Sequence, residues 1–428
     1  MRRTHTLLAA CSLAAVLAVP GGVRAQDTIK IGVLHSLSGT MAISETTLKD
    51  TIVMLVDQQN KKGGLLGKKL EAVVVDPASN WPLFAEKAAQ LLEKDKVAVV
   101  FGCWTSVSRK SVLPVFEKDN GLLFYPVQYE GEESSKNVIY TGAAPNQQAI
   151  PAVDYLMKDI GVKRWVLEGT DYVYPRTTNK ILEAYLKAKG VKPEDISINY
   201  TPFGHADWQA RVAAIKKFGS AGKKTAVVST INGDANVPFY KELGNQKVSA
   251  EDVPVVAFSV GEEELSGLDT KPLVGHLAAW NYFMSDKAPA NKTFIDQWHA
   301  FIKKPKRTTN DPMEAHYIGF NLWVKAVEKA RSTDVEKVLA ALPGLEVPNL
   351  TGGVAKLLPN HHITKPVYIG EIRADGQFDV VWKTTGTVPG DAWSDYLPGS
   401  KGIEADWVTL KCGNYNTQNK TCSGQSYK

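Results

Sequence analysis

Polar and aromatic side chains follow the apolar runs of this chain, and these residue types are the ones best suited to bind a ligand. Trp104 and Ser106 come after the run VAVVF, and Gln128 follows the run LLFY. In open parallel sheets, ligands bind outside the carboxyl ends of the strands, so we expect such residues to meet in one cleft. The candidate binding residues are Trp104, Thr105, Ser106, Tyr125, Gln128, Tyr172, Tyr174, Asp234, Glu262 and Glu263.

The chemistry of this set suits a small, planar and uncharged molecule that hydrogen-bonds around its edge. Tyr and Trp rings can wall a cleft, while hydroxyl, amide and carboxylate groups supply donors and acceptors. Each buried polar group of the ligand needs a partner, because an unpaired one costs about 1–3 kcal/mol. Urea, with its N–H donors and one carbonyl, fits this set, and many sugars would fit it too.

Several of these residues also have a purely structural interpretation. Trp104 and Tyr125 are large enough to be core or hinge aromatics. Ser106 is placed to cap the helix predicted after it, and it could also bind a ligand if its hydroxyl is shared. The residue types alone leave both interpretations open.

The second half of the chain holds two further ambiguous groups. If residues 172–174 are extended, Tyr172 and Tyr174 point to opposite faces and only one of them contacts the ligand. The acidic run Glu262-Glu263-Glu264 is typical of a solvated surface or of a first helical turn, and one of its members facing the cleft is the alternative.

Catalysis, a metal and a cofactor are all unsupported by the sequence. Neither G-x-G-x-x-G nor a Walker loop occurs, which argues against nucleotide chemistry. Cys103 has no base predicted beside it, and His361-His362 lacks companions at metal-ligand spacing. We therefore predict no catalytic residue, no metal site and no cofactor.

The elements that would position these residues alternate between strands and amphipathic helices. IKIGVL at residues 29–34, LEAVVV at 70–75 and VAVVF at 97–101 are typical of buried strands, with helical spacing between them. A second series of the same kind runs from about residue 147 to 258. This alternation predicts an α/β fold with two Rossmann-like, doubly wound lobes joined by a hinge.

We predict the following division of the 428 residues. Residues 26–145 with about 282–345 form the N-terminal lobe, and residues 146–281 with about 346–400 form the C-terminal lobe. Residues 401–428 form a polar tail. Cys412 and Cys422 lie close together in this tail and are expected to form a disulfide in an oxidising compartment, which leaves Cys103 as a free thiol.

Residues 1–25 resemble an export signal. Arg2 and Arg3 precede an uncharged apolar stretch, and Val23-Arg24-Ala25 has small residues at the positions that a signal peptidase reads. We therefore expect a periplasmic protein cleaved near Ala25, with lipidation at Cys11 as the alternative. The net charge of +5 falls to +2 without the three arginines of this segment, which argues against nucleic acid as a partner. No later stretch is apolar for long enough to span a membrane.

Three segments carry a resemblance to a known family. GCWTSVSRKSVLPVFE, FYPVQYEGEESSKNVIYTGAAPNQQ and DYVYPRTTN are similar to the urea- and short-chain-amide-binding branch of the type I periplasmic solute-binding proteins. The similarity extends through essentially the whole mature chain. It implies a Venus-flytrap receptor that closes over urea or a short-chain amide and delivers it to an inner-membrane ABC permease with ATPase subunits.

The resemblance also assigns residues. Trp104 matches an aromatic wall, Ser106 a hydroxyl hydrogen-bonder, Tyr125 the tyrosine before the YP turn, and Tyr172 and Tyr174 the pair in the second lobe. The chain departs from the related amide sensors at Val127 and Gln128, and the added amide of Gln128 favours urea over aliphatic amides. Alternatives are an amide or branched-chain amino-acid receptor or sensor of the same fold, and an amide-cleaving enzyme.

Overall fold

Two α/β lobes make up most of the protein. The computed structural model describes residues 28–397 and three short tail segments, 403–404, 414–416 and 421–423. Each lobe is built around one sheet whose strands are joined mainly by helical crossovers. The predicted fold class, two doubly wound lobes, is confirmed. The proposed signal segment and the proposed disulfide lie outside the residues whose side chains are described.

The first lobe contains a five-stranded sheet in the order β2-β1-β3-β4-β5, and all of its strand pairs are parallel. Its central strands are apolar and buried on both faces, as expected for a parallel sheet covered by helices. The strands are β1 (Ile29–Leu34), β2 (Leu70–Val75), β3 (Val99–Gly102), β4 (Leu123–Tyr125) and β5 (Val138–Tyr140).

Three helices connect these strands: α1 (Ala42–Lys61), α2 (Trp81–Ala89) and α3 (Ser106–Lys118). The first helix is followed by Gly63 and Gly64, which both have positive φ, a conformation that glycine adopts without strain. Asn80 caps α2 by accepting a hydrogen bond from the N–H of Leu83. These terminations turn the chain back to the sheet.

The second lobe contains a seven-stranded sheet in the order β15-β14-β10-β9-β8-β6-β7. Its strands are β6 (Arg164–Thr170), β7 (Ile196–Thr201), β8 (Thr225–Thr230), β9 (Val255–Ala257), β10 (Leu277–Trp280), β14 (Tyr368–Ile372) and β15 (Phe378–Lys383). Its helices are α4 (Ala149–Lys158), α5 (Val173–Ala188), α6 (Gln209–Gly219), α7 (Asn236–Asn245) and α8 (Glu262–Leu265). Two strand pairs in this sheet are antiparallel, β10 with β14 and β14 with β15, and the latter pair forms a hairpin whose turn contains Gly376.

The last third of the chain is shared between the lobes. The helices α9 (Pro289–Ile302), α10 (Asp311–Ala330) and α11 (Val335–Ala341) pack on the first lobe. Four short strands accompany them: β11 (Glu346–Pro348), β12 (Val354–Lys356), β13 (Thr364–Lys365) and β16 (Val388–Pro389). Among the described residues, no helix has both the length and the apolar character needed to cross a membrane.

One predicted lobe boundary is wrong. Residues from about 346 onward were expected in the second lobe, but Val347, Ala355 and Ile363 lie in the same buried cluster as the first sheet. The chain returns to the second sheet only at Tyr368. The sequence does not show this boundary, because a strand in a small covering sheet and a strand in the main sheet have the same apolar pattern.

Three chain segments connect the lobes, and hydrogen bonds join all three. Asn281 lies on the second connection, and its Nδ2 donates to the carbonyl of Gln147 at 3.0 Å on the first and of Pro366 at 2.7 Å on the third. The third also contains Lys365, whose buried ammonium lies 3.2 Å from Glu314. This joint is where we expect the lobes to rotate.

Gly142, on the first connection, is expected to tolerate no side chain. A Cβ at this position would lie 2.0 Å from the carbonyl oxygen of Val127, beside Gln128 in the cleft. Gly142→Ala should therefore lower the free energy of unfolding by about 1–3 kcal/mol. Thermal unfolding would measure the loss, with Gly267→Ala as the control because nothing lies within 4 Å of a Cβ there. Equal stability of the two variants would contradict the expectation.

Candidate functional site

The carboxyl ends of the two sheets meet at a cleft, where side chains of the two lobes touch. Gln128, after β4, donates from Nε2 to Oγ of Ser259, after β9, at 2.6 Å. Trp104, after β3, donates from Nε1 to Oδ1 of Asn232, after β8, at 3.4 Å. The structure therefore places Trp104 and Gln128 where the strand-end argument predicted them, on the first lobe's side of the cleft.

The turn that holds Trp104 is tightly constrained. At Gly102 a Cβ would lie 2.4 Å from the carbonyl oxygen of Leu34 on the neighbouring strand, so only glycine fits. Cys103 has a φ of 67°, a conformation that costs a non-glycine residue energy and that clusters at functional sites. This backbone geometry turns the chain from β3 into α3 and presents Trp104 to the cleft.

Thr105, rather than Ser106, caps the following helix. The Thr105 hydroxyl accepts a hydrogen bond from the N–H of Ser108 at 3.1 Å, and Thr105 is buried. The capping role considered for Ser106 is therefore wrong, because Ser106 is already the first residue of α3. Its hydroxyl instead donates to the carboxylate of Glu130.

A buried and charge-balanced network lies behind Ser106. Arg109 donates from Nε to Glu133 at 2.7 Å and from Nη2 to Glu130 at 3.3 Å, while Lys110 contacts Glu133 at 2.6 Å. All four charged side chains are at most 2% exposed. Burial disfavours the charge on Glu133, but Arg109 and Lys110 outweigh this effect and hold the pKa of its carboxyl below the ordinary value. Two cations thus neutralise two carboxylates.

Tyr125 connects the buried network to the turn that carries Trp104. The guanidinium carbon of Arg109 lies 4.6 Å from the ring centre of Tyr125 and 4.7 Å from that of Tyr129, which is cation–π geometry. The hydroxyl of Tyr125 donates to the carbonyl oxygen of Trp104. Tyr125 therefore fixes the Trp104 turn through its hydroxyl, a positioning role that the sequence did not reveal.

Both tyrosines of the second lobe are buried against the first lobe. Tyr172 precedes α5 and Tyr174 is its second residue, and the two rings cluster with Val107 of α3. The expectation of opposite faces for an extended segment does not apply, because the helix begins at Val173. The ring of Tyr172 also packs against the ring of Phe203, with 4.8 Å between the ring centres.

An aromatic contact also bridges the lobes near this point. Trp81 opens α2 in the first lobe, and its ring centre lies 5.2 Å from that of Phe203, which follows β7 in the second lobe. Neither residue was predicted for the site. Trp81 could have been suspected because it follows β2 at the same edge of the sheet as Trp104.

Two polar atoms buried in the cleft have no hydrogen-bond partner among the described residues. They are the side-chain oxygen Oε1 of Gln128 and the hydroxyl of Tyr174. Burial raises the pKa of the Tyr174 hydroxyl, against interactions with the side chains of Ser259 and Gln128 that lower it, so it remains a donor. The cleft therefore offers one acceptor and one donor side by side.

Asp234 is not directed into the cleft as predicted. Its side chain is exposed, and its contribution across the lobes is a backbone N–H that donates to the carbonyl of Thr40 at 3.0 Å. Asn232, two residues earlier, is buried and contacts Trp104 instead. The reason is the register of the strand end, since Gly233 begins a tight 3-10 turn that carries Asp234 outward.

The acidic run forms the short, buried helix α8 rather than a solvated surface. Glu262 accepts a hydrogen bond from the N–H of Met284 at 2.7 Å, and Glu263 pairs with Arg307 at 2.7 Å. Both predicted residues therefore already have partners within the protein. Glu264, which was not a predicted site residue, contacts Ser44 of α1 in the first lobe.

The remaining reactive side chains are also buried. Burial raises the pKa of the Cys103 thiol, which keeps it protonated and unreactive. His362 is buried: its ring stacks on Tyr140 at 4.7 Å and its Nε2 lies 2.6 Å from the hydroxyl of Tyr129. Among the described residues, no three His, Cys, Asp or Glu side chains are grouped so that they could hold a metal ion.

Known sequences resemble this chain over most of its length. It is 27% identical over 343 residues to the Leu/Ile/Val-binding protein BraC3 of Rhizobium johnstonii, covering 77% of this chain and 88% of that protein. It is 24% identical to Leu/Ile/Val-binding protein homolog 6 of Brucella melitensis, covering 86% and 92%. A match to limonene hydroxylase of Geobacillus stearothermophilus is 31% identical but covers only 28% of this chain and 22% of that protein.

Solved structures share the fold. One is a solute-binding protein of an ABC transporter from R. palustris in complex with 4-hydroxybenzoate, with a TM-score of 0.71, 21% identity and coverage of 87% of this chain and 100% of that one. Another is a leucine-binding protein from Thermotoga maritima, with a TM-score of 0.69, 17% identity and coverage of 83% and 98%. The family model described as "periplasmic binding protein domain" matches residues 29–399. The chain therefore belongs to the periplasmic binding protein family, with the type I fold of its solute-binding members.

Proposed function

We propose that this protein is the exported solute-binding component of an ABC uptake transporter and that it binds urea, or a short-chain amide, between its lobes. The observation that carries the proposal is the unpaired pair in the cleft. The side-chain oxygen of Gln128 can accept from an N–H of the ligand, while the hydroxyl of Tyr174 can donate to its carbonyl. A primary amide presents this donor and acceptor on one edge.

The charge balance of the site favours a neutral ligand. Arg109 is a buried cation behind Ser106, and Glu130 and Glu133 already neutralise it together with Lys110. A carboxylate ligand would compete with these glutamates for the guanidinium. A neutral amide needs no such exchange, and the desolvation of a charge is avoided.

The small separation of the lobes favours a small ligand. Side chains of the two lobes bond directly at 2.6 Å between Gln128 and Ser259, and Trp104 lies 3.4 Å from Asn232. A ligand held beside Gln128 and Tyr174 in this arrangement must fit between contacts that already close the cleft. Urea and formamide meet that requirement with the fewest atoms.

A branched-chain amino acid is the second candidate, and the names of the related Leu/Ile/Val-binding proteins favour it. A zwitterion would need partners for both of its charges. Calorimetric titration of the mature protein with urea, formamide, acetamide, leucine and 4-hydroxybenzoate separates the candidates. We expect saturable one-to-one binding of urea, weaker binding of acetamide and none of leucine. Leucine binding without urea binding would overturn the amide assignment.

Removal of the Tyr174 hydroxyl directly tests the observation on which the proposal rests. Tyr174→Phe should weaken binding of the preferred amide about tenfold, the equivalent of one hydrogen bond of about 1–1.5 kcal/mol. Tyr240→Phe is the matched control, since its hydroxyl is also buried and unpaired but lies in the core of the second lobe. If both variants bind as the wild type does, Tyr174 does not contact the ligand.

A further inference from the structure

We infer that Ser44 and Glu264 form a latch between the lobes, and that closure over the ligand takes up a proton at Glu264. This inference rests on the proposed function, in that the ligand is held by closure of the lobes. It adds a residue pair and a pH dependence that the binding site alone does not imply.

The latch is defined by one contact between the lobes. The hydroxyl of Ser44, in the first turn of α1, lies 2.6 Å from Oε1 of Glu264 in α8. Both side chains are buried, Ser44 fully and Glu264 to 2% exposure. Because α1 belongs to the first lobe and α8 to the second, a rotation that moves α1 away from α8 would break this contact and expose the carboxyl to water.

Burial and the neighbouring Glu263 oppose a negative charge on Glu264, while the hydrogen bonds to its carboxyl favour one. Its Oε2 accepts a hydrogen bond from the N–H of Gly261 at 2.9 Å. On the same helix, Glu262 accepts from the Met284 N–H with Asp311 of α10 nearby, while Glu263 adds negative charge and is itself paired with Arg307. From α1, Ser44 supplies the hydrogen bond, and the neighbouring Glu45 is turned toward His35.

The neutral carboxylic acid fits the latch as well as the carboxylate does. A protonated Oε1 can donate to the hydroxyl oxygen of Ser44, while Oε2 still accepts from Gly261. Burial raises the pKa of Glu264 from its ordinary value of 4.5 to about 6 in the closed arrangement, against the hydrogen bonds from Ser44 and Gly261. The geometry accommodates a protonated latch, and burial favours it.

The sign of the pH effect follows from this difference. A carboxyl exposed in the separated lobes titrates near 4.5, whereas the buried one titrates near 6. The closed form thus binds more protons, and the advantage it gains at low pH is lost as the pH rises through 6. For this one group, ligand affinity should be about fourfold higher at pH 5.5 than at pH 7.5.

Titration calorimetry tests the latch. Urea binding is measured at pH 5.5, 6.5 and 7.5, each in two buffers of different ionisation enthalpy, which counts the protons taken up. We expect the wild type to take up protons and to bind more weakly as pH rises. Glu264→Gln imitates an acid that is neutral in both the open and the closed form, so it should bind with one affinity over the whole range, about eightfold tighter than the wild type at pH 5.5, with no proton uptake. Ser44→Ala should weaken binding at every pH.

A proton taken up by another buried carboxyl would contradict the latch. Burial raises the pKa of Glu262 to about 8 and that of Glu314 to about 7, and both lie toward the lobe connections. If the pH dependence and proton uptake persist in Glu264→Gln, the proton resides on another group and the latch is overturned. Absence of both in the wild type overturns it as well.

Failure of the proposed ligand leaves the latch testable. If urea binds at no pH, the amide assignment fails, and the radius of gyration of the protein alone is measured by small-angle X-ray scattering at pH 5.5 and 7.5. A proton-dependent latch makes the wild type more compact at pH 5.5 and Glu264→Gln equally compact at both. A radius that does not change with pH in the wild type overturns the inference.

Discussion

Replacing Arg109 with methionine is expected to destabilise the first lobe more than any other single change proposed for this protein. Its guanidinium bonds to Glu130, Glu133 and the hydroxyl of Ser106 and is packed against the ring of Tyr125. Methionine fills part of the space but leaves two buried carboxylates with Lys110 alone. Removal of one partner of a buried ion pair costs about 3–5 kcal/mol, because the remaining charge is uncompensated.

Unfolding in guanidinium chloride, followed by far-ultraviolet circular dichroism, measures this loss. Urea is unsuitable as the denaturant because it is also the proposed ligand. The double variant Arg109→Met with Glu130→Gln leaves Lys110 paired with Glu133 and should recover part of the stability. Lys292→Ala, which breaks an exposed pair with Asp296, should change stability by less than about 0.5 kcal/mol. An Arg109→Met variant as stable as this control would show that the network does not stabilise the lobe.

The fold was predictable from the sequence because its signals are local and repeated. Apolar β-rich runs and amphipathic helices alternate in two series, and each series forms the parallel part of one of the two sheets. The course of the chain between the lobes was not predictable, because Val347 and Ala355 are apolar in either lobe and only their packing partners differ.

The candidate site was predictable at the level of strand ends but not of individual side chains. The cleft contains Trp104, Gln128 and Tyr174, as expected for residues that follow the carboxyl ends of parallel strands. Asp234 was predicted to face the cleft, but Asn232 faces it instead. A tight 3-10 turn that begins at Gly233, between the two residues, decides which of them points inward.

Partners distant in sequence escaped prediction altogether. Arg109 and Glu133 are 24 residues apart, and Ser44 and Glu264 are 220 apart. The spacing of Ser106 and Arg109 by three residues on one helix was the available signal for the former network. No local pattern pairs Ser44 with Glu264, which only the packing of the lobes brings together.

Replacing Trp104 with alanine is expected to have the largest effect on ligand binding. The indole is almost fully buried at the junction of the lobes, and its Nε1 bonds to Asn232 of the opposite lobe. Its loss removes both an apolar wall of the cleft and a contact that stabilises closure. Truncation of a buried aromatic residue at the centre of an interface costs about 2–4 kcal/mol, which corresponds to about 30- to 1,000-fold weaker binding.

Two further variants separate the contributions of the indole. Trp104→Phe keeps the ring but cannot donate to Asn232, so it should lose only about tenfold in affinity, the equivalent of one hydrogen bond. Trp382→Ala removes a half-buried indole on β15, away from the cleft, and should leave affinity unchanged. Calorimetry with the preferred amide gives all three values. If Trp104→Phe binds as poorly as Trp104→Ala, the hydrogen bond across the lobes rather than the aromatic wall controls capture, and closure would be the step on which affinity depends.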